Sequence, residues 1–160
     1  MPVSFLNFTP EDYARFMEHS IPEYANDLLA ATGCTAEEAA QMAADDFDNI
    51  LTEGFQTPGN YFYKIQNESK EDVGYLWYMM LNPSQAYICD FCIYDTHRRK
   101  GYASAALTLL EQYVRELGCG SILLNVFDHN TAGIKLYEKC GYALDTVHEA
   151  GSRYLIKKLE

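Results

Sequence analysis

The chain predicts an α/β fold (mixed α+β) around one sheet, with element order β-α-α-β-β-β-α-β-α-β-β. Three observations carry this. After one short strand, residues 9–51 read as a helical layer with capping signals at its starts. Residues 61–94 hold three strand-like runs joined by short polar turns, which suggests an antiparallel meander. From Tyr87 to Leu110 an apolar strand then passes through a basic, glycine-containing loop into a strongly periodic helix. At 160 residues the chain is the size of one ordinary domain. No linker, repeat or low-complexity segment divides it, so a single domain over residues 1–160 is expected.

Val3–Phe8 is the first strand. Thr9-Pro10-Glu11-Asp12 starts a helix, with a Thr cap, Pro in the first turn and acids beside it. This helix is expected to end near Ser20, because Ile21-Pro22 should break it. A second helical segment runs from Pro22 to Thr32 and stops at Gly33. Thr35-Ala36-Glu37-Glu38 is a capping box that opens a third helix, through about Leu51. Gly54 and Thr57-Pro58-Gly59-Asn60 mark a loop. Strands follow at Tyr61–Gln66, Val73–Leu81 and Ala86–Tyr94, with turns at Asn67–Asp72 and Asn82-Pro83-Ser84. The helix after the basic loop has apolar residues at Tyr102, Ala106, Leu109, Leu110, Tyr113 and Leu117. Gly118 and Gly120 end it. Ser121–Phe127 is apolar on both faces and reads as a buried strand. His129–Cys140 is a helix closed by Gly141, and the last strands are about Tyr142–His148 and Ser152–Leu159.

Net charge is −11, and it is unevenly placed. Residues 1–60 carry eleven acids and one base, Arg15, whereas the remainder is nearly balanced. Such a surface disfavours nucleic acid and anionic membrane and attracts cations. The apolar runs are too short to span a bilayer, and the first residues lack a secretory signal pattern, which points to the cytoplasm. The five cysteines have no framework spacing. Cys89 and Cys92 form a C-x-x-C inside a strand, where side chains three apart face opposite ways, so no metal is expected.

Two motifs carry chemistry. Arg98-Arg99-Lys100-Gly101-Tyr102-Ala103 fits R-x-x-G-x-A at a helix start. There, free backbone N–H groups, the helix dipole and two or three cations suit a phosphate. It matches neither the P-loop nor the three-glycine dinucleotide fingerprint. The second motif runs from Asn130 to Tyr142, with Asn130 as a helix cap and Tyr137 two turns on.

Together these segments resemble the GNAT family of acetyl-CoA-dependent N-acetyltransferases, in particular small, largely uncharacterised bacterial members. The loop R/Q-x-x-G-x-G/A falls on Arg98–Ala103, and N-x-x-A/G-x-x-L-Y-x-x-x-G-F/Y falls on Asn130–Tyr142. Arg99 stands where a glycine is common. The resemblance implies a mostly antiparallel sheet of about seven strands with a splayed parallel pair, the fourth and fifth, and flanking helices. It implies acetyl-CoA as co-substrate and an amine as acceptor. Backbone groups of Phe91, Cys92 and Ile93 would hold the pantetheine arm and acetyl carbonyl. The loop from Arg98 through Arg99, Lys100, Gly101, Tyr102 and Ala103 to Ser104 would cradle the pyrophosphate. Asn130 would contact the cofactor, and Tyr137 would protonate the leaving thiolate. Dimers are common in the family, so a homodimer is one expected assembly.

Asp90 is the candidate base that takes the proton of the attacking amine, directly or through water. It is the one charged residue in an apolar central strand, and burial would lift its pKa into a useful range. His19, Glu23, Tyr24 and His148 remain alternatives. The acidic N-terminal third favours a cationic acceptor, either a small amine or a basic peptide. A competing reading is a catalytically idle acyl-CoA-binding module.

Overall fold

The computed structural model describes residues 2–148 and 151–160, with backbone alone for residues 146–148. The elements are β1 (Ser4–Asn7), α1 (Pro10–Thr32), α2 (Ala36–Ile50), β2 (Asn60–Gln66), β3 (Asp72–Asn82) and β4 (Gln85–Ile93). They continue with α3 (Tyr102–Glu116), β5 (Ser121–Phe127), α4 (Thr131–Lys139), β6 (Ala143–His148) and β7 (Ser152–Lys158). One seven-stranded sheet has the order β1-β2-β3-β4-β5-β7-β6. Every neighbouring pair is antiparallel except β4–β5. That pair is parallel because α3 lies between its strands in the chain, giving the crossover that parallel neighbours require. Among the described residues no helix is long and apolar enough to cross a membrane.

Both faces of the sheet are covered. On one, β-strand residues Ile65, Leu76, Tyr78 and Ile122 pack with Leu107 and Leu110 of α3. On the other, α1 and α2 lay Phe16 and Phe47 against Phe62 and Trp77, whose rings stack at 5.2 Å. Leu110 is fully buried at the centre of the first core. Leu110→Ala is therefore expected to lower unfolding free energy by about 3 kcal/mol in chemical denaturation, through lost transfer energy and a cavity.

Two local expectations are overturned. First, α1 does not stop before Pro22 but runs through it as one helix. An interior proline denies the Glu18 carbonyl its N–H partner and costs about 3 kcal/mol. Burial of Phe16 and Ser20 before it, and packing of Ile21 and Tyr24 around it, hold both halves against the sheet. Thr9 caps the start with a reciprocal bond to Asp12, and Gly33 in the left-handed region closes the end. Second, Cys89 and Cys92 do not face opposite ways. Trp77 pairs with Asp90 while Tyr78 pairs with Ile88, which leaves Cys89 as an extra residue in a β-bulge. The bulge shifts side-chain alternation by one. Cys89 joins the α1–α2 core, and Cys92 lies opposite Tyr75 of that same core.

Candidate active site

The bulge also opens the site. β4 and β5 pair only from Gln85–Ile88 to Ser121–Leu124, although both strands continue beyond. Past Ile88 they diverge, and a cavity of about 380 Å³ fills the gap. Its walls come from α1, α2, the middle of β3, the bulged part of β4, the far half of β5, and α4 with its cap.

Asp90 lies on this wall at the bulge. It lines the cavity, and desolvation raises its pKa from 3.8 to about 6. The Phe91 N–H, the Ser20 hydroxyl, His19 and Tyr75 act the other way and keep the shift moderate. Ser20 is 3% exposed, and its hydroxyl stands near Asp90 and Tyr75 without closing a hydrogen bond to either.

Tyr137 reaches the same cavity from α4. Burial, followed by the negative charge of Asp90, pushes its phenol well above the ordinary range. Asn130 also lines the cavity, and its side-chain oxygen accepts from the Gly133 N–H at 3.0 Å, capping α4. Asp90, Tyr137 and Asn130 thus share one cavity although they come from three parts of the chain.

The backbone of β4 divides into two sets. Tyr94 donates to the Val73 carbonyl, so the bonded pairs of the β3–β4 ladder fall at Tyr94 and, two back, Cys92. Phe91 and Ile93 therefore turn their backbone groups away from β3, toward the gap. The Ile93 carbonyl is already taken by Arg98 Nε at 2.8 Å. Arg98 also pairs with Asp95 at 2.8 Å, so its guanidinium ties the basic loop to the end of β4. Gly74 lies against the Cys92 carbonyl so closely that a Cβ would overlap it.

Within the loop, Arg99 and Gly101 both have positive φ, 64° and 84°. This is the physical reason a glycine would suit position 99. A left-handed Gly101 caps α3 without any side-chain acceptor. The first intrahelical bond there runs from the Ala105 N–H to the Gly101 carbonyl. The Tyr102, Ala103 and Ser104 amides precede it, at the positive end of the helix dipole. Arg99 and Lys100 are exposed beside them.

One wall of the cavity is acidic and aromatic. Glu23, Asp27, Asp46 and Asp90 line the cavity, and no Lys, Arg or His does so among the described residues. Tyr24 donates to Asp46 Oδ2 at 2.7 Å, joining α1 to α2. Asp27 pairs with His129 at 3.0 Å, joining α1 to the loop before α4. Of the alternative bases, Glu23 and Tyr24 line the cavity, His19 acts on Asp90 by charge from outside it, and the His148 side chain lies outside the described residues.

Sequence reasoning missed Ser20, Tyr75, Trp77 and Asp46. Tyr75 and Trp77 alternate with buried residues and so share a face, but which face met the helices required the sheet register. Breaking α1 at Pro22 hid the one-turn spacing that puts Ser20, Tyr24 and Asp27 on one side.

Comparisons with known proteins agree with this geometry. The acetyltransferase (GNAT) family model matches residues 21–142. The uncharacterised N-acetyltransferase YdgE of Bacillus subtilis (strain 168) is 31% identical over 150 residues, which is 92% of this chain and 96% of that protein. The uncharacterised N-acetyltransferase YycN of the same organism is 31% identical over 145 residues, covering 89% of this chain and 93% of YycN. The crystal structure of YycN superposes with a TM-score of 0.84 over 99% of both chains, at 29% identity. PaiA N-acetyltransferase from Thermoplasma acidophilum, solved in complex with coenzyme A, shares the fold with a TM-score of 0.71 at 15% identity, over 99% of this chain and 100% of PaiA. A matched family over most of the chain, and a sheet that splays where the family's fold requires, lead to one statement: the chain belongs to the GNAT family of acetyltransferases.

Proposed function

We propose that the protein transfers an acetyl group from acetyl-CoA to a cationic primary amine, a small molecule or a peptide, by direct attack in a ternary complex. The observation that carries this reading is the cavity at the β4–β5 splay, where a carboxyl of raised pKa and a buried phenol meet. A base and an acid facing one cavity favour catalysis over an idle acyl-CoA-binding module.

The residues fit the co-substrate. Uncapped amides from Tyr102 to Ser104, with Arg99 and Lys100 beside them, suit a pyrophosphate, and the space around Gly101 is open. Phe91 and the Ile93 N–H would hold the pantetheine arm in the gap, with Asn130 beside it. Bound acetyl-CoA supplies the acyl group as a thioester. The Phe91 N–H would favour negative charge developing on the acetyl oxygen, competing with its bond to Asp90. Asp90 takes the proton that the acceptor ammonium must lose, directly or through water. Tyr137 keeps the proton on its phenol oxygen throughout the working pH range and can give it to the departing thiolate. One S–C bond is broken and one N–C bond is formed; the acceptor nitrogen sheds two protons, the first to Asp90, which passes it to solvent, and the second replacing the proton that Tyr137 gives to the thiolate.

Incubation with acetyl-CoA and pooled amines, followed by mass spectrometry, tests this directly. An acetylated amine is expected. Coenzyme binding with slow hydrolysis and no acetylated product across a broad panel would favour the idle module.

The loop assignment has its own test. Gly101→Asp forces a side chain into a left-handed conformation and puts negative charge before the α3 N-terminus. Coenzyme A affinity by calorimetry is expected to fall roughly 10- to 100-fold, the equivalent of about 1.4–2.8 kcal/mol. Unchanged affinity would remove this loop from the binding site.

A further inference from the structure

We propose that Asp46 and Tyr24 form a distal cation subsite, and that the acceptor is a linear diammonium compound with its far ammonium at Asp46 and its reacting amine at Asp90. This rests on the acetyl-transfer reading for the role of Asp90, but the distal subsite stands on separate geometry.

The cavity holds four carboxylates, and they are not equivalent. Asp27 has His129 at 3.0 Å, and Glu23 has His19 at 4.0 Å. Among the described residues, Asp46 and Asp90 make no ion pair with any base. Two carboxylates outside any ion pair among the described residues, facing one cavity, match two positive charges on one ligand. Asp46 is also held in place, because the Tyr24 hydroxyl donates to one of its oxygens at 2.7 Å. A fixed carboxylate loses little freedom when it binds an ammonium.

The surface around Asp46 suits a hydrocarbon chain with a charged end. Tyr24 lies 5.9 Å from Phe47 and 6.1 Å from Phe127, and Phe47 lies 5.6 Å from Trp77, centroid to centroid. Methylenes can lie along these rings, and an ammonium is attracted to their faces. Helix α1 orients both ends, because Ser20 stands by Asp90 and Tyr24 holds Asp46 one helical turn apart on the same side of the helix.

Ser20 is an independent sign of a ligand. Its hydroxyl is almost completely buried, lines the cavity beside Asp90 and Tyr75, and closes no hydrogen bond among the described residues. A polar group of the acceptor, or a water carried with it, would satisfy it.

Trp77 provides the readout. It is the single tryptophan of the chain and lines the cavity, so its fluorescence reports occupancy without any turnover. The full-length protein is titrated with diaminobutane, diaminopentane and the monoamines of the same length. Diamines are expected to bind at least tenfold more tightly than matching monoamines. In Asp46→Asn, which keeps an acceptor for Tyr24, that ratio should fall close to one. Tyr24→Phe should lower it several-fold, and provides a second route if the first variant folds poorly. Glu37→Gln removes the same charge from the exposed start of α2 and should leave the ratio intact. Equal binding of diamines and monoamines, an unaltered ratio in Asp46→Asn, or no fluorescence response to either amine would overturn the subsite. Parallel acetylation assays separate the two readings. Diamine-selective binding without any acetylated product retains the subsite and rejects acetyl transfer. Acetylation with no preference for diamines does the reverse.

Discussion

Asp90→Asn should lower kcat/KM by on the order of 10²- to 10³-fold, as expected when a general base is lost. The wild-type rate should rise through an inflection near pH 6 as the carboxyl ionises. In the Asn variant that inflection should vanish, leaving only the titration of the amine. Stability should move the opposite way. The carboxyl titrates near 3.8 when unfolded and near 6 in the fold, because its cavity disfavours the charge. Between these values the folded state holds the proton more tightly. Stability therefore declines as pH rises from about 4 through 6 and levels off above, a penalty on the order of 2–3 kcal/mol. Asn carries no such charge, so the variant should melt higher than wild type at pH 8 and gain little at pH 4. A variant equally slow but no more stable at pH 8 would show that Asp90 serves a structural hydrogen bond instead.

Tyr137→Phe should lower kcat by roughly 10²-fold while coenzyme A affinity changes less than threefold. The ring fills the same space, and its packing on Tyr142 at 5.6 Å does not need the hydroxyl. Because burial and Asp90 both hold the phenol protonated, the wild-type acid should lose no activity up to at least pH 9 through its own ionisation. Rapid-mix kinetics with coenzyme leaving groups of differing thiol pKa would isolate the step. The variant should be most impaired with the most basic thiolate. Unchanged turnover would remove Tyr137 as the acid.

Where the chain's local chemistry was decisive, reading it was enough. Thr9 and Thr35 cap helices because their side chains meet the N3 amides of their own segment. The Gly101 turn and the Asn130 cap are likewise local. The expectation at Pro22 was wrong for the same reason in reverse: local propensity argued for a break, and burial of both halves of α1 outweighed it. The C-x-x-C argument assumed unbroken alternation, and a bulge that depends on pairing with Trp77 reversed it.

The sequence alone determined the order of elements, the family resemblance, the candidate acid and base, and the acidic bias of the N-terminal third. These depend on residue type and spacing along the chain, which sequence contains directly. Only the tertiary structure decided that Asp90, Tyr137 and Asn130 face one cavity, that Cys92 turns its backbone to β3, and that Tyr24 of α1 holds Asp46 of α2. Each depends on strand register or on which helix face meets the sheet. Those are settled by contacts between residues far apart in the chain, and a one-residue bulge is enough to exchange them.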